Sequence, residues 1–121
     1  MPKVMIVEDD AAMLSLLTTL LEMEGFEVMK LGEVKTDTIL DQLRTQCPDV
    51  ILMDVYLRQI NGLDLLKLIK QDEQVKSLRV IMSSGMDFCD PCLQAGANAF
   101  IMKPYMPDEL INQLHRVMSL P

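Results

Sequence analysis

The sequence predicts an α/β domain built on a parallel, doubly wound sheet. Five short apolar runs alternate along it with stretches whose apolar residues recur at the spacing of one helix face. The run at residues 50–55 is apolar apart from Asp54, as befits a strand covered on both faces of a parallel sheet. No linker-like change of composition and no internal repeat interrupts the 121 residues, a length suited to one domain of about 100 to 150 residues.

The elements follow in order. Residues 4–7 form a first short β-type run. Residues 11–24 carry Leu14, Leu17 and Leu21 on one helical face and stop at Gly25, which is free to take the left-handed backbone that ends helices. Residues 26–31 are the second strand, and Asp37 is placed to cap a helix whose inner face holds Leu40 and Leu43. Pro48 separates that helix from the third strand. Leu63, Leu66 and Ile69 form the stripe of a helix over residues 62–71, and residues 78–82 are the fourth strand. A fifth strand at residues 99–102 precedes a last helix that opens on Pro107-Asp108-Glu109, where proline suits the first turn and acids complement the helix dipole. Leu110, Ile111, Leu114 and Val117 give it a buried face. Parallel neighbours require crossover helices, and the fixed handedness of those crossovers spreads the helices over both faces.

Half of the residues are hydrophobic but only 4% are aromatic, so the core must be built from Leu, Ile, Val and Met. The eleven methionines read as flexible core filler rather than as a docking groove. A net charge of -7 argues against a general nucleic-acid binder, whose affinity comes from clustered Lys and Arg. The segment Met1-Pro2-Lys3-Val4 lacks the long apolar core of a secretory signal, and no apolar run is long enough to span a membrane. Three cysteines without an export signal fit a reducing cytoplasm better than a disulfide scaffold. One domain over residues 1–121, with no output domain, is expected.

In open α/β sheets the ligand site lies beyond the carboxyl ends of the strands. There the sequence places Glu8-Asp9-Asp10, Asp54, Ser83-Ser84-Gly85 and Lys103-Pro104. Crowded carboxylates repel one another unless a cation sits among them, and a partly open, oxygen-rich set suits Mg²⁺ or Mn²⁺. A bound divalent metal is therefore expected. The same acidity weighs against a flavodoxin, whose flavin phosphate needs hydroxyls and amides after the first strand. Beside a metal, Asp54 can attack phosphorus as a nucleophilic carboxylate, while Lys103 and the Ser84 hydroxyl hold the remaining phosphoryl oxygens. Each residue alone has an ordinary explanation as a cap, a turn or a loop. Their joint occurrence at four strand ends, in the order the fold requires, points to chemistry.

These motifs make the chain resemble the response-regulator receiver family of two-component signalling, whose chemotaxis receiver is a single-domain member. The likeness rests on Val4-Met5-Ile6-Val7-Glu8-Asp9-Asp10, on Asp49-Val50-Ile51-Leu52-Met53-Asp54-Val55-Tyr56-Leu57 with Gly62 downstream, on Val80-Ile81-Met82-Ser83-Ser84-Gly85, and on Ala95-Gly96-Ala97 leading to Phe100-Ile101-Met102-Lys103-Pro104. It implies a flavodoxin-like (βα)5 fold with strand order 2-1-3-4-5. It also implies that Asp54 is the phosphoacceptor, supplied by a histidine kinase or phosphotransfer protein, and that the only chemistry is self-catalysed phosphorylation and dephosphorylation. By the same likeness Asp9 and Asp54 bind Mg²⁺ directly, Glu8 acts through water, Tyr56 offers its backbone carbonyl, and Asp10 lies outside. Lys103 pairs with the phosphoryl group. Ser84 and Phe100 are the switch residues that alter the face of the fourth helix, fifth strand and fifth helix (α4-β5-α5), where a protein partner or a second copy would dock.

Arg58 stands where many receivers have proline, which bears on loop stiffness. The segment between Ser84 and Lys103 is short for the family and contains Pro91, leaving room for a brief fourth helix that ends near Gly96. Within it lies Cys89-Asp90-Pro91-Cys92, a spacing used in redox and metal sites. Asp90 and Pro91 read as cap and first helical residue, which would put Cys92 in a first turn able to lower its pKa. With no second ligand pair for zinc, small-residue packing is the favoured reading of these cysteines. His115 is a poor phosphodonor candidate. Two alternatives to the phosphoryl switch stay open: an interaction module of the same fold that is never phosphorylated, and a thiol switch through Cys89 and Cys92.

Overall fold

The computed structural model describes residues 1–30 and 36–121, and only the backbone of Thr36 and Asp37. Its elements are β1 (Lys3–Val7), α1 (Ala11–Met23), β2 (Glu27–Lys30), α2 (Thr36–Gln46), β3 (Val50–Asp54), α3 (Gly62–Gln71), β4 (Arg79–Ser84), α4 (Cys89–Gln94), β5 (Ala99–Met102) and α5 (Pro107–Met118). The strands pair in parallel in the order β2-β1-β3-β4-β5, the doubly wound arrangement expected.

Alternation along each strand divides the core in two. Met5 and Val7 of β1, Ile51 and Met53 of β3, and Val80 and Met82 of β4 pack with Ile39, Leu43, Leu65, Leu66, Ile69 and Cys92 under α2, α3 and α4. Val4, Ile6, Val50, Leu52, Ile81, Ala99 and Ile101 pack on the other face with Leu17, Leu21, Leu110, Leu114 and Val117 of α1 and α5. Successive side chains of a strand point to opposite faces. Carried to the carboxyl rim, that period puts Glu8, Asp54 and Lys103 in phase with the α1/α5 face, and Ser84 and Phe100 in phase with the α2/α3/α4 face.

Helix ends follow local chemistry. Asp10 caps α1, its Oδ1 accepting from the Met13 N–H at 3.0 Å, and Gly25 at φ +90° ends the helix as expected. At α5, Pro107 opens the first turn and Glu109 Oε1 accepts from the Met106 N–H at 3.4 Å. Two expected caps are corrected. Asp37 is the second residue of α2 rather than its cap, and its side chain lies outside the described residues, as does Leu31, the expected end of β2. In α4, Asp90 lies inside the first turn. The flanking residue is Phe88, and the Asp87 carboxylate accepts from the Cys89 N–H at 3.1 Å. Among the described residues no helix is long and apolar enough to cross a membrane.

Candidate functional site

Three of the expected residues meet at the rim on one ammonium group. Lys103 Nζ donates to Glu8 Oε1 at 2.9 Å and to Asp54 Oδ2 at 2.9 Å. Glu8 is only 4% exposed, so its charge depends on this partner. Burial by itself would lower the Lys103 pKa, but the hydrogen bonds to Asp54 and Glu8 outweigh it and hold the ammonium above the ordinary lysine range. The lysine eases the crowding by placing a cation between two of the acids, and the expectation of a divalent metal stands beside it. Among the described residues, no three His, Cys, Asp or Glu side chains are gathered as a ready-made metal cluster.

Asp9 makes a separate contact. Its Oδ2 accepts from the Arg58 N–H at 2.5 Å, tying the end of β1 to the loop after β3. Asp10 is engaged as the α1 cap. The Tyr56 N–H donates to Asp54 Oδ1 at 3.3 Å, which fixes the second oxygen of that carboxylate.

The loop carrying Tyr56 is shaped by two residues to which the sequence reading gave no role of their own. Asn61 caps α3, its Oδ1 accepting from Leu63 and Asp64 N–H at 2.8 and 3.3 Å, and it forms an isolated bridge with Tyr56. Gly62 packs its backbone against the acceptor's own carbonyl, where a Cβ would stand 2.0 Å from the Asp54 oxygen and 2.9 Å from Val55 Cα. The Asn61-Gly62 dipeptide ahead of a helical stripe was the available signal.

Ser84 is fully buried at the end of β4, and its Oγ accepts from the Met86 N–H at 3.1 Å. The Lys103 N–H donates to the Ser84 carbonyl at 2.8 Å, so hydroxyl and lysine belong to adjoining strand ends. Phe100 lies opposite Met82 and is half-buried against the α2/α3/α4 core. Cys92 is buried in that core, and burial, with the nearby Cys89, pushes its thiol pKa up. That corrects the expectation of a lowered value, because the Cys92 side chain sits among apolar neighbours rather than in the field of a helix end. His115 is exposed and packs its ring 5.8 Å from Phe26.

The family model "Response regulator receiver domain" matches residues 4–115. The chain is 31% identical to chemotaxis protein CheY of Bacillus subtilis over 121 residues, covering 97% of this chain and 98% of that protein. It is 33% identical to the DNA-binding response regulator MtrA of Mycobacterium tuberculosis, covering 90% of this chain and 47% of that protein, so it spans about half the length of such relatives. Among solved structures, a CheY-like response regulator receiver domain protein from Methanospirillum hungatei superposes with a TM-score of 0.85 at 27% identity, covering 98% and 94% of the two chains. The receiver domain of sensor histidine kinase PA1611 from Pseudomonas aeruginosa, described with a magnesium ion coordinated in its active-site cleft, shares the fold with a TM-score of 0.85 at 24% identity, covering 98% of each chain. With a matched model over nearly its whole length, a five-stranded sheet in the order 2-1-3-4-5 and an acid–lysine rim at its carboxyl end, the chain belongs to the response regulator receiver domain family of two-component signalling.

Proposed function

We propose that the chain receives a phosphoryl group on Asp54 and passes the change to a protein partner through its α4-β5-α5 face. The observation that carries this reading is the double hydrogen bond of Lys103 to Asp54 and Glu8. It gives a carboxylate at a strand end a cation poised for phosphoryl oxygens.

The residues also fit a divalent metal. Asp9, Asp54 and the Tyr56 carbonyl offer only hard oxygen donors, and each carboxylate keeps lone pairs beyond the single amide that the backbone of Arg58 or Tyr56 supplies to it. Mg²⁺ bound there would neutralise charge between attacking and transferred oxygens. Asp54 then attacks phosphorus through one carboxylate oxygen while the bond from phosphorus to the donor breaks. Lys103 shifts its hydrogen bond to a phosphoryl oxygen, and Glu8 keeps the ammonium charged. Ser84 can turn its hydroxyl from the Met86 amide to the new group, which brings about -1.5 to -2 units of charge. The departure of that hydroxyl from its resting position gives Phe100 the room to move. A separate histidine kinase or phosphotransfer protein in the cytoplasm is the proposed donor.

Incubation with acetyl phosphate and Mg²⁺ should add one phosphoryl mass to the protein, and Asp54→Asn should abolish it. Mass persisting in that variant would remove Asp54 from its role. Partner capture that ignores both phosphorylation and Mg²⁺ would favour the non-phosphorylated interaction module instead. The buried, pKa-raised Cys92 speaks against the thiol switch.

A further inference from the structure

Helix α1 is apolar on more than its buried face. Between Ala11 and Leu21 it carries no charged residue, although 24% of the chain is charged, and Leu16 stays 64% exposed while Leu17 and Leu21 belong to the core. Where α1 meets the turn into α5, Met13, Leu16, Leu17 and Leu20 line a cavity of about 110 Å³ together with Tyr105 and Pro107. None of these lining residues is charged, and neither phosphoryl acceptance nor switching gives the cavity a task. Tyr105 joins it to the rim. It packs against the α1/α5 core, and its buried hydroxyl, without a hydrogen-bond partner among the described residues, feels the charges of Lys103, Glu8 and Asp54.

We propose that this cavity is a binding site for a small aromatic molecule that carries no negative charge. Size, lining and field each narrow the occupant. An apolar protein cavity of about 150 Å³ holds benzene, so about 110 Å³ beside the flexible Met13 and the exposed Leu16 takes a single ring and leaves its substituent in water. An apolar lining gives a polar solute nothing to replace its hydration, which favours a ring. Tyr105 adds an aromatic neighbour for offset or edge contact. The sequence around the lining residues is acidic, with Asp9-Asp10 before α1, Glu22 after Leu21 and Asp108-Glu109 after Pro107, while Lys103 is engaged by two acids of its own. An anionic ring is therefore repelled, whereas a neutral or cationic one is not. The site stands whether or not Asp54 accepts a phosphoryl group.

The test titrates the whole chain with benzyl alcohol, benzylamine and benzoate and follows its methyl groups by NMR. Benzyl alcohol should shift the signals of Met13, Leu16, Leu17 and Leu20 saturably, with a Kd of about 1 mM, as suits a ligand of so few atoms. Benzylamine should bind at least as tightly, and benzoate more weakly by about tenfold. Leu20→Phe and Met13→Phe each fill the cavity and should weaken benzyl alcohol by about tenfold while the signals of the sheet stay in place. No saturable shift in the parent, or undiminished affinity in both filled variants, would overturn the site. Benzoate bound as tightly as benzyl alcohol would overturn the exclusion of anions. Movement of the same signals on raising the protein concentration alone would give the cavity to a second copy of the chain and overturn the small-molecule site.

Discussion

At the scale of single residues, the rim is governed by what each buried polar atom has for a partner. Glu8, almost wholly buried, is paired with Lys103, and the pair needs no metal to be neutral. Tyr105, two residues on, has the opposite fortune: its hydroxyl is buried with no hydrogen-bond partner among the described residues. Burial pushes its pKa up to about 12. The folded chain thus keeps a proton that the unfolded chain gives up near the ordinary tyrosine value of 10, so this contribution to stability is complete below about pH 10 and is lost as pH rises through 12. Tyr105→Phe should raise stability at neutral pH by about 1 kcal/mol, because an unsatisfied buried hydroxyl costs about that much or more. It should also lose less stability than the parent between pH 10 and 12. Urea unfolding of both proteins across that range checks the two effects, and a less stable Tyr105→Phe at pH 7 would show that the hydroxyl has a partner in solution. The acids and the lysine of the rim were legible in the sequence because they fall at strand ends. Their pairing was less so, since only the strand phase shows that Glu8, Asp54 and Lys103 share a face.

At the scale of elements, the strands and four of the helices were legible from their apolar period, whereas α4 was expected from Pro91 and Gly96 alone, and the errors at helix starts fell at caps. Asp90 before Pro91 looked like a helix start, but the Asp87 carboxylate three residues earlier does the work of closing that turn. Only the hydrogen bond to the Cys89 N–H shows that Asp87 rather than Asp90 holds the start of that turn. The connection from β3 to α3 shows what periodicity cannot report, namely a contact between backbones. Gly62 N–H donates to the Val55 carbonyl at 2.7 Å, drawing the helix start onto the strand that carries Asp54. A methyl group there would meet the Asp54 carbonyl at 2.0 Å, so the backbone of the acceptor loop would have to move. Gly62→Ala should destabilise the chain by about 2 kcal/mol, in the range of overpacked cores, and slow uptake of the phosphoryl mass. Chemical unfolding and the acetyl phosphate assay read the two consequences separately. An unaltered unfolding midpoint would mean that the loop gives way freely and does not position Asp54.

At the scale of the whole molecule, an acidic chain with a rim of carboxylates should gain stability from a cation that binds only the folded state. Mg²⁺ at about ten times its dissociation constant adds about 1.4 kcal/mol, which for a domain of this size raises the melting temperature by about 5 °C. Asp9→Asn should lose most of that rise, because Asp9 is the proposed ligand that Lys103 does not already neutralise. Equal melting shifts in parent and variant would place the cation elsewhere. The sheet itself has a consequence for how news of that event travels. Its two cores are separate compartments divided by a slab of hydrogen-bonded backbone. Asp54 and Lys103 belong to one compartment by their strand phase, whereas Ser84 and Phe100 belong to the other. Side chains of the two sides can touch one another only where the slab runs out. The carboxyl edge is thus a threshold as well as a binding place, and a message arriving beneath α1 and α5 must step over it to be felt beside α4.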